Sequence, residues 1–225
     1  VDAETGRPAA LLEGASLTAI RTGAASGAAT DILANPGART VAIFGSGAQA
    51  RTQLEAVCSV RAIEHVRIFS LDPPSAEALI EQMSGHGRVP PSMILTKSPS
   101  EAIAKADVIC TATTSLVPVF DGRELTPGVH INAIGSYKPH IREIPGETIQ
   151  RAMVFVDQRQ ACLEEAGDLI IPLRENLIDE SHIRAEIGEV LAGLKPGRRS
   201  EEDITVFKSV GNAVQDLAVA SLVAG

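Results

Sequence analysis

The sequence predicts an α/β protein built on a doubly wound parallel sheet with helices on both faces. Three observations predict it: short apolar, β-branched runs recur along the chain, amphipathic stretches of helix length separate them, and one run, Arg39 to Phe44, leads straight into a turn with two glycines, Gly45 and Gly47. At 225 residues the chain can bury a core of that size, near the upper end for one domain or the lower end for two.

From Val1 a strand-like run turns at Glu4-Thr5-Gly6-Arg7 into a second apolar run, Pro8 to Leu12. A two-stranded hairpin is marginal alone, so its sheet partners are expected upstream or on another chain, and an N-terminal portion is expected to be missing. Residues 14 to 34 predict a helix with Ser16 as N-cap, and its many Ala, Gly, Ser and Thr suit close packing against a neighbour. Asn35-Pro36-Gly37 ends it before the strand Arg39 to Phe44. Strand and helix then alternate: helix Gln49 to Ser59, strand Val66 to Phe69, helix Ser75 to Met83, strand Ser92 to Leu95, helix Ser100 to Lys105 and strand Asp107 to Thr111. Strands Val129 to Ile134 and Met153 to Val156 follow. Helices are expected near Gln160 to Glu165 and Ser181 to Ala192, then a stop at Lys195-Pro196-Gly197 and a last helix from Lys208 to Leu222.

The formal net charge of -8, with no basic block, gives no footprint for a phosphate polymer, so no nucleic-acid partner is expected. Cys58, Cys110 and Cys162 are far apart and odd in number, which suits small core residues in a reducing compartment. No run reaches the roughly 18 apolar residues of a membrane helix, and no charged-then-apolar leader is present; a cytoplasmic protein without membrane contact is expected. His65, His86, His130 and His182 show no HxxxH or HExxH spacing, and no nucleophile elbow or Walker turn occurs, so metal, acyl-transfer and phosphoryl-transfer sites have no support.

Gly45-Ser46-Gly47-Ala48-Gln49-Ala50 reads GxGxxA between a strand and a helix, the context of a Rossmann-type dinucleotide site. Gly45 permits the tight turn, Gly47 lets backbone approach a pyrophosphate, Ala50 lets helix pack on strand, and the helix start offers amides and positive dipole to phosphates. The second strand ends at Ser70, with Asp72 two residues on, where an acid would bind the ribose of NAD. A serine leaves room for a 2′-phosphate, yet no arginine stands beside it and Asp72 would repel one, so NAD(P)H is the expected cofactor with only a slight lean to NADP.

Arg21 is the one charge between Glu13 and Asp31. It either binds an anionic ligand or snorkels at a helix edge against a structural acid. Thr111 to Thr114 and Asn132 to Ser136 follow strands, so both lie where open α/β sheets bind ligands, with Tyr137, Lys138 and His140 close behind. Glu164-Glu165 and Glu201 to Asp203 read as solvated faces or caps.

Several stretches, taken in order, resemble the ornithine cyclodeaminase and mu-crystallin family: Leu17 to Ala25, the Gly45 to Ala50 turn, Gly128 to Gly135 with Pro139 and Arg142-Glu143, Glu164 to Asp168, Gly188-Glu189-Val190 and Thr205 to Gly211. The resemblance implies a Rossmann domain at residues 37-165, with residues 1-36 and 166-225 the remainder of a second, α+β substrate and dimerisation domain whose larger part would precede Val1. It implies a homodimer. It also implies that Arg21 and Val210 contact a small imino-acid or amino-acid substrate, Arg21 through its carboxylate or by reaching the cofactor. Cofactor contacts would come from Ala48 and Gln49 at the pyrophosphate, Ser70 or Asp72 at the adenosine ribose, Thr111 with Ile131, Asn132, Ala133 and Ile134, Lys138, and Ser209 at the nicotinamide end.

Family members that cyclise ornithine resemble this chain through Asn132 to Gly135 but carry an aspartate where Tyr137 stands. A phenol, with a reference pKa of about 10, is a poor replacement for that base near neutral pH. The C-terminal stretches GDLI, IGEVLAGLKPG and VFKSVG are closer to the mu-crystallin and imine-reductase branch. The resemblance therefore implies NAD(P)H-dependent reduction of a cyclic imino carboxylate, pyrroline-2-carboxylate or piperideine-2-carboxylate. Its alternatives are an NAD-dependent ornithine cyclodeaminase, an alanine-type amino-acid dehydrogenase, or a crystallin-like protein that binds NAD(P)H without turnover. The resemblance names no catalytic acid.

Overall fold

A computed structural model describes residues 1–224 and builds the chain around one sheet. Its strands are β1 (Thr40–Phe44), β2 (His65–Phe69), β3 (Met93–Leu95), β4 (Val108–Thr111), β5 (His130–Ala133), β6 (Met153–Val156), β7 (Ile183–Glu186) and β8 (Thr205–Lys208). The described pairings are all parallel, in the order β3-β2-β1-β4-β5-β8-β6-β7. The helices are α1 (Gly14–Leu33), α2 (Ala48–Val60), α3 (Pro73–Met83), α4 (Pro99–Ile103), α5 (Gly146–Arg151), α6 (Arg159–Glu165), α7 (Gly167–Arg174), α8 (Ile187–Leu191) and α9 (Ala213–Ala224).

Alternation along the strands divides the core. Val41 and Ile43 face α2 and α3 through Ala50, Leu54 and Leu79, while Ala42 and Phe44 face α4 to α7 through Ile103, Ile149, Cys162 and Leu169. Both faces are therefore covered, as the apolar strands predict. The small residues of α1 also behave as expected: a Cβ on Gly23 would lie 2.6 Å from the Thr52 carbonyl oxygen of α2, and one on Gly27 would lie 3.2 Å from Ala56 Cβ. The cysteines are buried and unpaired.

Four local expectations differ. Glu13, not Ser16, caps α1, its carboxylate accepting from the amides of Ala15 and Ser16. Residues 1–13 form the turn at Glu4 to Arg7, pinned by Asp2, but no strand. The helix expected over Ser181 to Ala192 forms only as α8 (Ile187–Leu191); its first half holds β7, where Ile183 and Ala185 are buried and Arg184 is exposed, a period of two. The last helix begins at Ala213, because Thr205–Lys208 is a strand slotted between β5 and β6. All four of its residues are buried, so no periodicity separates it from a buried helix turn. With β7 and β8 drawn from beyond residue 165, the sheet extends past the 37-165 segment into 166-225.

Candidate active site

The strand order reverses direction between β1 and β4, and the crevice there lies outside the carboxyl ends of the strands. Gly45 occupies φ +99°, and a Cβ on it would lie 2.5 Å from the Ala112 carbonyl oxygen, so conformation and space both require glycine. Gly47 precedes α2 with its Cβ position open to solvent, leaving the first amides of a 13-residue helix approachable. Ala50 is buried in the core beneath it.

Two clefts meet at this point. The larger, about 650 Å³, runs along Gly45 to Gly47 and Phe69 to Asp72 toward Val117 to Val119. The smaller, about 340 Å³, is lined by Arg21, Gln49, Ile134, Gly135, Tyr137 and Ser209 to Gly211, among others. Ala112, Thr113 and Thr114 line both and form the shared wall. In the larger cleft, Ser70 and Ser46 share a hydroxyl hydrogen bond of 3.1 Å, and Asp72 caps α3, accepting from Ser75 Oγ at 2.6 Å. In the smaller, the Oε1 of Gln49 is buried without a partner among the described residues. Arg21 donates from Nε to Asp216 of α9 at 3.1 Å and from Nη1 to Gln215 at 3.2 Å, while its guanidinium fills the space where a Cβ on Gly211 would stand.

Behind the cleft walls lies a set of buried charges. Glu143 accepts from Thr111 Oγ1 (3.0 Å), the Thr113 amide (2.7 Å), Thr113 Oγ1 (2.6 Å) and the Gly135 amide (2.7 Å). Burial raises its pKa above the usual glutamate value, and the nearby Asp168 adds to that. Asp168 accepts from the amides of Glu143 and Ile144 and lies 3.1 Å from the fully buried ammonium of Lys208, which also donates to the Ala133 carbonyl. Asp157 accepts from Ser209 Oγ and the amides of Val210 and Gly211, and so fixes the loop after β8. Sequence reasoning missed this set as a unit. The one available signal was an acid directly after an apolar strand, as Asp157 stands after β6, since that is a ligand-facing end of a parallel sheet.

Of the residues singled out from sequence, the structure brings Gly45, Gly47, Ser70 and Asp72 to the larger cleft and Arg21, Gln49, Ile134, Ser209 and Val210 to the smaller. Ala48 is exposed at the first turn of α2. Thr111, Ile131, Asn132 and Ala133 are buried within β4 and β5, because helices cover both faces of these central strands. Asn132 donates to Thr30 Oγ1 of α1 at 2.9 Å and accepts at Oδ1 from His130 Nε2 at 3.2 Å, which keeps its amide inside the core. Lys138 is exposed, its ammonium 5.6 Å from the Tyr137 ring centroid, and it lines neither cleft; nor does His140. No cluster of metal-ligating side chains occurs among the described residues, nor any helix long and apolar enough to cross a membrane.

The model of the ornithine cyclodeaminase/mu-crystallin family matches residues 1–225. A Delta(1)-pyrroline-2-carboxylate reductase of Bacillus cereus (strain ZK / E33L) is 46% identical over 220 residues, a match covering 97% of this chain and 67% of the relative. The structure of the Thermococcus litoralis Delta(1)-pyrroline-2-carboxylate reductase, in complex with NADH and L-proline, superposes with a TM-score of 0.96 at 43% identity, covering 99% of this chain and 68% of that one. An archaeal alanine dehydrogenase dimer with bound NAD superposes at 0.91 with 35% identity, again covering 99% and 68%. The chain thus spans about two thirds of the length of these relatives.

Proposed function

The chain belongs to the ornithine cyclodeaminase/mu-crystallin family, and from that premise we propose that it is an NAD(P)H-dependent reductase of a small cyclic imino carboxylate, pyrroline-2-carboxylate or piperideine-2-carboxylate. The observation that carries the reading is the meeting of two clefts at Ala112 to Thr114: one follows the glycine turn, and the other is lined by a fixed cation, Arg21, with no carboxylate among its described lining residues. A carboxylate on the substrate would meet the guanidinium there without an acidic side chain in the cleft lining.

The residues present fit a dinucleotide. The open Gly47 position stands at the start of α2, where the backbone amides of Ala48 and Gln49 would meet the pyrophosphate, while Gln49 Oε1, a buried acceptor without a partner among the described residues, would suit a hydroxyl or N–H donor of the ligand. Ser70 and Asp72 would border the adenosine ribose, with Ile134 and Ser209 at the nicotinamide end. When bound, the reduced nicotinamide supplies a hydride to the C=N carbon, and the nitrogen takes the electron pair. A protonated iminium accepts hydride far better than a neutral imine, so the proton is on nitrogen before transfer.

The chain's own part is orientation. Arg21 holds the carboxylate through Nη2, which has no partner among the described hydrogen bonds, while Asp216 and Gln215 fix the rest of the guanidinium. The acid at the far side of Arg21 thus orients it toward a ligand, which joins the two readings of that residue. Val210 bounds the substrate space. Thr111, Ile131, Asn132 and Ala133 support the loops from inside the sheet, and Lys138 lies outside both clefts. Of residues 1-36 and 166-225, those outside β7 and β8 would belong with the substrate and dimerisation domain; exposed Ile20 on α1 and Leu217 on α9 are surface it would cover. The dimeric alanine dehydrogenase supports a homodimer, and three free thiols support the cytoplasm. The same neighbour favours an alanine-type dehydrogenase as the second reading.

The test is absorbance of NADH and NADPH with full-length protein and pyrroline-2-carboxylate, beside ornithine with NAD. Cofactor oxidation by the imine without ammonia from ornithine is expected. Ammonia from ornithine would overturn the reductase in favour of the cyclodeaminase.

A further inference from the structure

Behind the wall shared by the two clefts stands a carboxylate with no part yet in the proposed reaction. Glu143 is fully buried, and its four hydrogen bonds come from two different loops: Thr111 and Thr113 at the end of β4, and Gly135 after β5. Thr113 and Gly135 line the smaller cleft on their other side, so the carboxylate is one residue layer behind it. A Cβ at Gly135 would lie 2.5 Å from both Glu143 oxygens, so that loop can close over the carboxylate only as glycine. Three of the four bonds are 2.7 Å or shorter, the range of charge-assisted bonds to an ionised acceptor.

The surrounding charges do not cancel it. Lys208 is the buried ammonium of the cluster, and it is paired with Asp168 at 3.1 Å; Asp157 adds a further carboxylate on the side of the β8 loop. On the opposite side of the cleft, the Arg21 guanidinium is matched by Asp216. Above the raised pKa of Glu143, the wall formed by Thr113 and Gly135 therefore has uncompensated negative charge behind it, in surroundings of low polarisability where charge acts over several ångströms.

We infer that Glu143 is a positioning residue of the reaction, tying the β4 and β5 loops into one wall and placing behind it a negative charge that favours a positively charged ring in the smaller cleft. Reduction of an iminium brings one positive charge into the site on the substrate and leaves one on the oxidised nicotinamide, so a cation faces this wall before and after hydride transfer. The inference rests on the cofactor-binding part of the proposed function.

The experiment compares NAD+ and NADH dissociation constants, by titration calorimetry, in full-length wild type, Glu143→Gln and Glu143→Asp, with folding checked by circular dichroism. Loss of the charge in Glu143→Gln is expected to weaken NAD+ about tenfold while NADH changes less than about threefold. Glu143→Asp keeps the charge but shortens the reach; it is expected to hold the wild-type NAD+ to NADH ratio within about twofold and to lose kcat through the slackened wall. Equal weakening of both forms in Glu143→Gln would reduce Glu143 to a structural residue and overturn the inference. If Glu143→Gln does not fold, Glu143→Asp decides: a ratio shifted as far as about tenfold, with the charge still present, would overturn it. Wild type that binds neither form would sink the cofactor reading as well, whereas wild type that binds both but reduces no imine would sink the substrate alone.

Discussion

The two ends of the sheet treat strong donors in opposite ways. At the amino ends, Arg61 gives its guanidinium to the carbonyls of Thr30, Asp31, Ala34 and Asn35 where α1 stops, and Arg198 gives its own to the carbonyls of Leu33, Gly128 and Asp203 and to Thr205 Oγ1. These cations close the frayed carbonyls of a helix end and leave little for a ligand. At the carboxyl ends, Arg21 keeps the donor Nη2 without a partner among the described residues, and a buried acceptor, Gln49 Oε1, is likewise left unbonded there. Residue type alone therefore does not mark a site; what marks it is whether the chain has already satisfied the group.

The comparison breaks most easily at the closed end. Replacing Arg198 with Met strands several buried carbonyls at once, and a loss of about 3 kcal/mol is expected. In a chain of this length that lowers Tm by roughly 6 to 12 °C, with turnover per folded molecule unchanged. A drop under about 2 °C would mean that the amino end is as open as the other.

A second break uses pH. Burial, with the Arg198 charge next, pushes His130 down to about 3, so the imidazole at the start of β5 stays neutral in the fold. The unfolded chain binds its proton near pH 6.5. The contribution is complete above that value and is lost as pH falls from 6.5 toward 3, about 2 kcal/mol between pH 7 and 5. Burial moves Glu143 the other way, raising its pKa and working against that loss, so the isolating measurement is a difference between proteins. Urea denaturation of His130→Gln should give a less stable protein at pH 7 whose stability changes less from pH 7 to 5 than that of wild type; parallel slopes would remove His130 from the account.

Legibility in the sequence followed the same division. The glycine turn was readable because local backbone demands, a positive φ at Gly45 and open space at Gly47, leave a residue-type signature. The alternation of strands and helices was readable even for β1, β4, β5 and β6, which are buried along their whole length, because each is a short apolar run set between helices or turns. β8, equally buried, was not, since its four residues run on into the small and apolar residues that lead to the last helix, and β7 was too short to outweigh the helical run that follows it. The buried set of Glu143, Asp157, Asp168 and Lys208 was illegible for another reason: its members are far apart in the chain and each looks like an ordinary surface charge until the sheet brings them together.

At the open end the expected effects concern ligands. Arg21→Lys keeps the charge but loses the planar fork, so KM for the imino acid should rise about tenfold while NADH affinity stays within about twofold. The reverse pattern, weakened NADH with KM unchanged, would assign Arg21 to the cofactor.

The smallest effect sharpens the comparison inside the open end itself, at the mouth of the larger cleft. Asp72 is exposed and caps α3 through Ser75, so its carboxylate serves a structural end yet still faces the place where an adenosine ribose would lie. There it disfavours a 2′-phosphate, whereas Ser70 alone would admit one. Asp72→Ser keeps a capping hydroxyl and removes the charge, so the affinity ratio of NADPH to NADH should rise about threefold, a modest change because solvent screens an exposed pair. The shift should shrink at 1 M salt, where the screening length falls to about 3 Å. A ratio unmoved at low salt would show that the cap holds the carboxylate away from the ribose, and the choice between the two dinucleotides would then rest on Ser70 and the backbone around it.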